Sequence, residues 1–228
     1  MGAPKIFFWR QPFRSETFPD WIPSQASGKR GVLLVHGFFC NRGFWNPWLA
    51  ALRSRGFPYV AVTLEPPFDS IDRYGPVLAA AAGRLAASTG FLPIIVAHSM
   101  GGLAVRRWLA SADPNNPRVH RVFTIGSPHR GTWMAKFSLA TNGQQMRLGS
   151  AWLAELAAME SRDAHADFVC YFSNCDNIVL PSESATLPGA DNRLLAGEPH
   201  VEMAFHPAIQ EAVFDELAGN RQSRDGAT

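Results

Sequence analysis

The residues Ala97-His98-Ser99-Met100-Gly101-Gly102 are the part of the chain best suited to chemistry. They stand where the apolar run Pro93-Ile94-Ile95-Val96-Ala97 gives way to a helix-like stretch from Gly101 to Leu109. The order is therefore strand, serine, helix. A serine lifted on such a turn exposes its Oγ at the carboxyl edge of a sheet, beside the free N–H groups and positive dipole end of the helix. The turn strains the serine backbone and crowds its neighbours, and Gly101 and Gly102 supply the clearance. Ala97 stands where the usual G-x-S-x-G pattern has its first glycine and adds only a methyl group.

A serine hydroxyl is a weak nucleophile until a histidine takes its proton and an acid holds that histidine's tautomer. In nucleophiles of this strand-turn-helix kind the partners follow in the order acid, then histidine, which sets aside His36 and His98. His120 and His165 lie in polar surroundings and read as surface residues, and His206 is the second candidate for the base, although its place just before Pro207 at a helix start suggests a cap or packing role. His200, in Gly197-Glu198-Pro199-His200-Val201 between the last strand and the last helix, is the predicted base. Asp176 follows the apolar run Phe168 to Phe172 across Ser173-Asn174-Cys175 and is the predicted acid. Asp163 and Asp167 precede that run, at its wrong end, while Asp191 reads as a turn residue.

An oxyanion needs two backbone donors. The N–H of Met100, next after the serine, is one; that of Phe38, in His36-Gly37-Phe38-Phe39 after an early strand, is the other. His36 is expected to brace this loop. Phe38, Phe39, Phe44, Trp45, Trp133, Met134 and Phe137 fall in loops expected around the serine and are predicted to line an apolar acyl groove. An open groove of this kind would also admit polymeric esters.

Taken together, His36-Gly37-Phe38, the Ala97 to Gly102 elbow, Gly126-Ser127-Pro128-His129-Arg130-Gly131-Thr132 and the Asp176 and His200 loops resemble bacterial triacylglycerol lipases and esterases of the α/β-hydrolase superfamily. The resemblance runs from about Gly31 to Leu217. The elbow is similar to that of small, lidless bacterial lipases, and the Gly126 to Thr132 segment to that of larger ones. This implies an α/β-hydrolase fold: a mostly parallel central sheet, helices on both faces and a short cap after the fourth βα unit. It also implies a Ser-His-Asp carboxylic ester hydrolase acting on small-molecule or lipid esters, with Ser99, Asp176, His200, Phe38 and Met100 in the roles above. No cofactor is implied, and no H-E-x-x-H or clustered spacing suggests a metal. Thioesterase, phospholipase, amidase and acyltransferase chemistry would use the same machinery, and the fold alone would also suit a non-catalytic binding protein.

The elements that must position these residues follow a βαβα rhythm. Strands are predicted at Val32 to His36, Tyr59 to Leu64, Pro93 to Ala97, Arg121 to Ile125, Phe168 to Phe172 and Arg193 to Ala196. Helices are predicted near Trp45 to Arg55, Ile71 to Ala87, Gly101 to Ala110, Ala151 to Ser161 and Pro207 to Leu217. Continuous apolar strands between helices indicate a parallel sheet covered on both faces, with ligands bound beyond its carboxyl edge. From Ser127 to Asp167 only about twenty residues remain for a lid beyond the one predicted helix, so an open or lightly covered site with weak interfacial activation is expected.

With 228 residues, 46% hydrophobic and 18% charged, the chain can bury one core. The expected organisation is an irregular N-terminal extension over residues 1–30 packed on the domain, an α/β-hydrolase domain over 31–219 and a frayed tail over 220–228. A net charge of +2 without a basic block argues against nucleic acid. No apolar run approaches the roughly 20 residues of a transmembrane helix, and no signal peptide is evident. A monomer, cytoplasmic or peripheral to a membrane and in contact with lipid or polymer surfaces, is expected. Three cysteines, Cys40, Cys170 and Cys175, are expected as free thiols.

Overall fold

Five runs rich in β-branched and aromatic residues, β1 (Val32–Val35), β2 (Tyr59–Val62), β3 (Ile94–His98), β4 (Arg121–Ile125) and β5 (Phe168–Phe172), form the sheet with a polar sixth strand, β6 (Asp191–Leu194). All pairings are parallel, in the order β2-β1-β3-β4-β5-β6. The structure, a computed structural model, describes residues 11–24, 28–111, 118–161 and 163–219. The aromatic run Phe7-Phe8-Trp9 and the tail 220–228 lie outside them.

The described α-helices are α1 (Gln11–Arg14), α2 (Asn46–Arg55), α3 (Gly75–Thr89), α4 (Met100–Ala110), α5 (Thr141–Gln145), α6 (Ala151–Met159), α7 (His200–Met203) and α8 (Pro207–Ala218). Alternate strand residues face opposite layers. Val32, Leu34, Ile94 and Val96 pack with α2 and α8 through Trp48, Leu49, Leu52, Ile209 and Val213. Leu33, Val35, Ile95 and Ala97 pack with α3, α4 and α6 through Leu78, Leu85, Leu103 and Leu156. Both faces are covered, so the central strands are mostly apolar, with polar side chains at His98 and Thr124 near their carboxyl ends.

Two elements differ from the sequence reading. The single helix expected from Ile71 to Ala87 is a 3-10 turn, Ile71–Tyr74, capped by the Ser70 hydroxyl, followed by α3. Pro76 lacks an N–H and sits in the first turn of α3, so the hydrogen-bond ladder restarts there. The last strand begins at Asp191, which is a strand residue paired with Val169 and bonded to Arg193 at 2.7 Å, not a turn residue.

Residues 11–24 are tied to the domain. Trp21 forms an antiparallel bridge with Tyr59, and Arg42 bonds Glu16, Asp20 and the Phe18 carbonyl. The excursion between β4 and β5 is likewise pinned. It carries a 3-10 turn, Trp133–Phe137, as well as α5 and α6. Thr132 N–H donates to the Met146 carbonyl, Arg147 bonds the carbonyls of Ala135 and Ser138, and Gln145 accepts from Ile71 N–H. Cys40, Cys170 and Cys175 are free thiols.

Candidate active site

Ser99 follows β3 directly and precedes α4, with φ 55° and ψ −128°. That left-handed backbone is costly for a residue with a Cβ and persists only where the surroundings enforce it. Its N–H donates to the Ile125 carbonyl at 2.9 Å. Neighbouring glycines make the turn possible. A Cβ on Gly101 would lie 2.6 Å from the His36 carbonyl oxygen, one on Gly102 would overlap the Ser127 hydroxyl, and one on Gly37 would come within 2.7 Å of Ser99 Cβ.

Asp176 and His200 meet as a buried pair, Oδ2 accepting from Nδ1 at 2.8 Å, with side chains 2% and 5% exposed. Donation from Nδ1 leaves Nε2 as the free acceptor of the imidazole. The other carboxylate oxygen accepts from the N–H groups of Ile178 and Val179, each at 2.8 Å, so Asp176 also holds the turn it begins. The two loops are fastened side by side: Asn174 accepts from Gly197 N–H, Ser173 Oγ from Glu198 N–H and Asn177 from His200 N–H. Gly126, after β4, borders the pair, since a Cβ there would lie 3.0 Å from His200 Nδ1 and 3.1 Å from Asp176 Oδ2. Among the described residues no hydrogen bond joins the Ser99 hydroxyl to His200; catalytic hydrogen bonds often tighten only when substrate is bound.

The N–H of Met100, in the first turn of α4, and the N–H of Phe38, after Gly37, have no acceptor among the described residues. Both flank Ser99. His36 braces the second of these loops, its Nε2 accepting from Leu64 N–H at 2.9 Å and its Nδ1 lying 2.8 Å from the Gly37 carbonyl. Burial pushes its pKa down to about 4, so it is a neutral strut at ordinary pH. His98 and His129 are likewise held well below the usual histidine range, chiefly by burial.

Of the residues expected to line a groove, Phe39, Trp133, Met134 and Phe137 are exposed, at 63%, 49%, 41% and 65%, and Phe38 is half-buried. Trp45 is not with them. It is fully buried between Trp48 and Phe44, the latter also expected in the groove and also fully buried, because their place at the start of α2 turns both rings into the core beneath the sheet. His206 caps α8, its Nδ1 accepting from Ala208 N–H. His165, expected at the surface, is mostly buried and lies 3.1 Å from Glu160.

Several supporting residues escape a motif-based reading. Asn174 and Asn177 fasten the acid loop to the histidine loop, and fully buried Asn142 bonds the Pro67 carbonyl. Arg106 and Glu160, 4% and 6% exposed, form a two-pronged ion pair at 2.8 and 2.6 Å, and Arg106 also bonds the His129 carbonyl. Burial alone would raise the Glu160 pKa, but hydrogen bonds from His165 and Arg106 outweigh it and hold the carboxyl below its usual range. An acid and an arginine placed 54 residues apart in an apolar context were the only signal. Among the described residues no group of three or more histidine, cysteine, aspartate or glutamate residues is placed to hold a metal ion, and no helix is long and apolar enough to cross a membrane.

The profile of an alpha/beta hydrolase family matches residues 32–219. Among solved structures, a Bacillus licheniformis lipase in its mature form aligns with a TM-score of 0.69 at 19% identity, over 87% of this chain and 95% of that one. An Aspergillus fumigatus lipase B aligns with a TM-score of 0.74 at 17% identity, over 88% of this chain and 55% of the other. A Paleococcus ferrophilus monoacylglycerol lipase gives 0.59 at 15% identity, over 85% and 98%. At these identities the likeness is one of fold. No curated protein matches the chain by sequence.

Proposed function

The chain belongs to the alpha/beta hydrolase family, and on that premise we propose that it is a serine ester hydrolase of carboxylesterase or lipase type. The observation that carries this reading is the strained Ser99 elbow beside two open backbone donors, with a buried Asp176–His200 pair at the neighbouring strand ends. Lipase folds among the structural neighbours support it.

In this reading His200 Nε2 takes the Ser99 proton as Oγ attacks the ester carbonyl, while Asp176 holds the Nδ1–H and stabilises the imidazolium. The N–H groups of Phe38 and Met100 receive the oxyanion. His200 then gives its proton to the departing alkoxide, leaving an acyl-Ser99. Water, deprotonated by the same imidazole, attacks that ester, and the proton returns to Ser99 as the acid departs. The exposed rings of Phe39, Trp133 and Phe137 suit an apolar substrate, and their openness extends the reading to polyester surfaces.

Hydrolysis of p-nitrophenyl esters by wild type, Ser99→Ala and His200→Ala tests the proposal. Turnover that is lost in both variants is expected. A matched panel of thioesters and amides fixes the acyl class, and soluble product release from a polyester film tests the polymer case. Undiminished turnover in Ser99→Ala would overturn the assignment.

A further inference from the structure

Phe68 has no role so far. It is 47% exposed, yet its ring meets Phe39 at 5.1 Å and Phe38 at 5.8 Å between centroids, both edge-on, and Phe38 meets Phe39 at 4.3 Å. Such edge-to-face contacts are favoured between aromatic rings. A cluster of large rings left in water is unusual on a folded chain and marks a surface that binds something apolar.

The loop that carries Phe68 is held firmly. Its approach is fixed by the Leu64 N–H bond to His36, which also contacts the Gly37 carbonyl, so this loop and the Phe38 loop share one strut. The Tyr74 hydroxyl donates to the Pro66 carbonyl at 2.7 Å, and Asn142 to the Pro67 carbonyl at 2.9 Å. These bonds fix an exposed loop, residues 65–68, that ends on an aromatic ring. Phe39 adds a second sign of enforcement, a φ of 58° on a bulky residue.

Strand order then assigns the halves of an ester. Ser99 ends β3, the Phe38 and Phe39 loop follows β1, and the Phe68 loop follows β2, all on one side of the nucleophile. Asp176 follows β5, with Gly126 after β4 bordering the Asp176–His200 pair, on the other side. His200 must pass a proton to the leaving alkoxide, so the alcohol half lies on the β4–β5 side. The acyl chain, its carbonyl oxygen at Phe38 and Met100, runs toward β1 and β2. Trp133 and Phe137, with rings 5.3 Å apart, follow β4, and Trp133 N–H bonds the Leu180 carbonyl beyond β5. They stand on the alcohol side.

We infer that Phe68, with Phe39, is the platform for the acyl chain and sets acyl-length preference, while Trp133 grips the alcohol half; the inference rests on the ester-hydrolase reading. Two series of substrates separate the halves: p-nitrophenyl esters from acetate to laurate, and butyrate esters from methyl to octyl. Each is followed with wild type, Phe68→Ala and Trp133→Ala, with melting temperatures as a check on folding. Phe68→Ala is expected to lower the long-to-short ratio of kcat/KM in the acyl series by about tenfold while preserving the ratio in the alcohol series. Trp133→Ala is expected to do the reverse. An unchanged acyl ratio in Phe68→Ala, or equal shifts in both series, overturns the inference while ester hydrolysis stands. Failure of the wild type to turn over either series overturns the underlying reading and the inference together.

Discussion

The imidazole of His98 donates from Nε2 to the carbonyl oxygen of His200 across 3.1 Å. The residue before the nucleophile therefore holds the backbone of the proposed base. The two rings lie 4.6 Å apart, and Phe44 stacks on His98 at 4.7 Å. Burial, and after it the nearness of His200, keeps His98 uncharged, which suits a neighbour that becomes cationic during acyl transfer.

His98→Phe keeps a ring in place and removes the donor. A drop in kcat on the order of 10- to 100-fold is expected from the loosened base, with KM little changed. His98→Gln, which can still donate, should recover part of the loss. Steady-state kinetics of both variants provide the check, and equal losses in the two would count against a positioning role.

Asp176→Asn is expected to lower kcat by roughly 10³- to 10⁴-fold. Its Oδ1 can still accept from Ile178 and Val179, which turns the amide nitrogen toward His200. A donor facing Nδ1 forces the proton onto Nε2, where no proton can be taken from Ser99. Thermal stability should change far less than kcat, and parallel activity and melting measurements separate the two effects.

Stability should fall on acidification from about pH 6.5 toward pH 4. His36 protonates near 6.5 when unfolded and near 4 when folded, so in that window the unfolded chain binds more protons and stability rises with pH. The contribution is complete above 6.5 and lost as the pH drops through the window. For His36 alone it is on the order of 3 kcal/mol, and His98 and His129 act in the same direction. Urea unfolding at pH 7 and pH 4.5 measures it; identical midpoints would refute the expectation.

Glu160→Gln should destabilise the fold by about 3–5 kcal/mol. It leaves Arg106, 4% exposed, as a buried charge without its carboxylate. Replacing both partners at once, with Arg106→Met and Glu160→Leu, should restore much of the loss because no charge then remains unpaired. Denaturant melts of the single and double variants read the difference.

The strands other than β6 and the positions of the candidate catalytic residues are legible because each depends on local pattern. The apolar runs of β1, β3 and β5 mark themselves, and Ser99, Asp176 and His200 are located by their distance from the end of a run. Of the excursion after β4, α6 is legible from the sequence and the segment before it is not. Thr141-Asn142-Gly143-Gln144-Gln145 has no apolar periodicity, and what holds it is polar and distant in sequence, Asn142 on Pro67 and Gln145 on Ile71. Trp45 shows another limit. Its residue type suits a groove and a core equally, and only the packing of α2 beneath the sheet decides. Phe68 carries no signal in the sequence, since nothing in Glu65-Pro66-Pro67-Phe68 forecasts that its ring meets two rings from another loop.

The bonds from Ser173, Asn174 and Asn177 to residues 197–200 bring the ends of a long stretch of chain together. Past Ile178 and Val179, which hold Asp176, the chain between them, including the edge strand β6 and the exposed turn at Gly189, is a detour whose length the acid and the base do not sense. Insertions or deletions there can accumulate over generations, and new surface can be added at that edge of the sheet, while the 2.8 Å contact between Asp176 and His200 stays where it is.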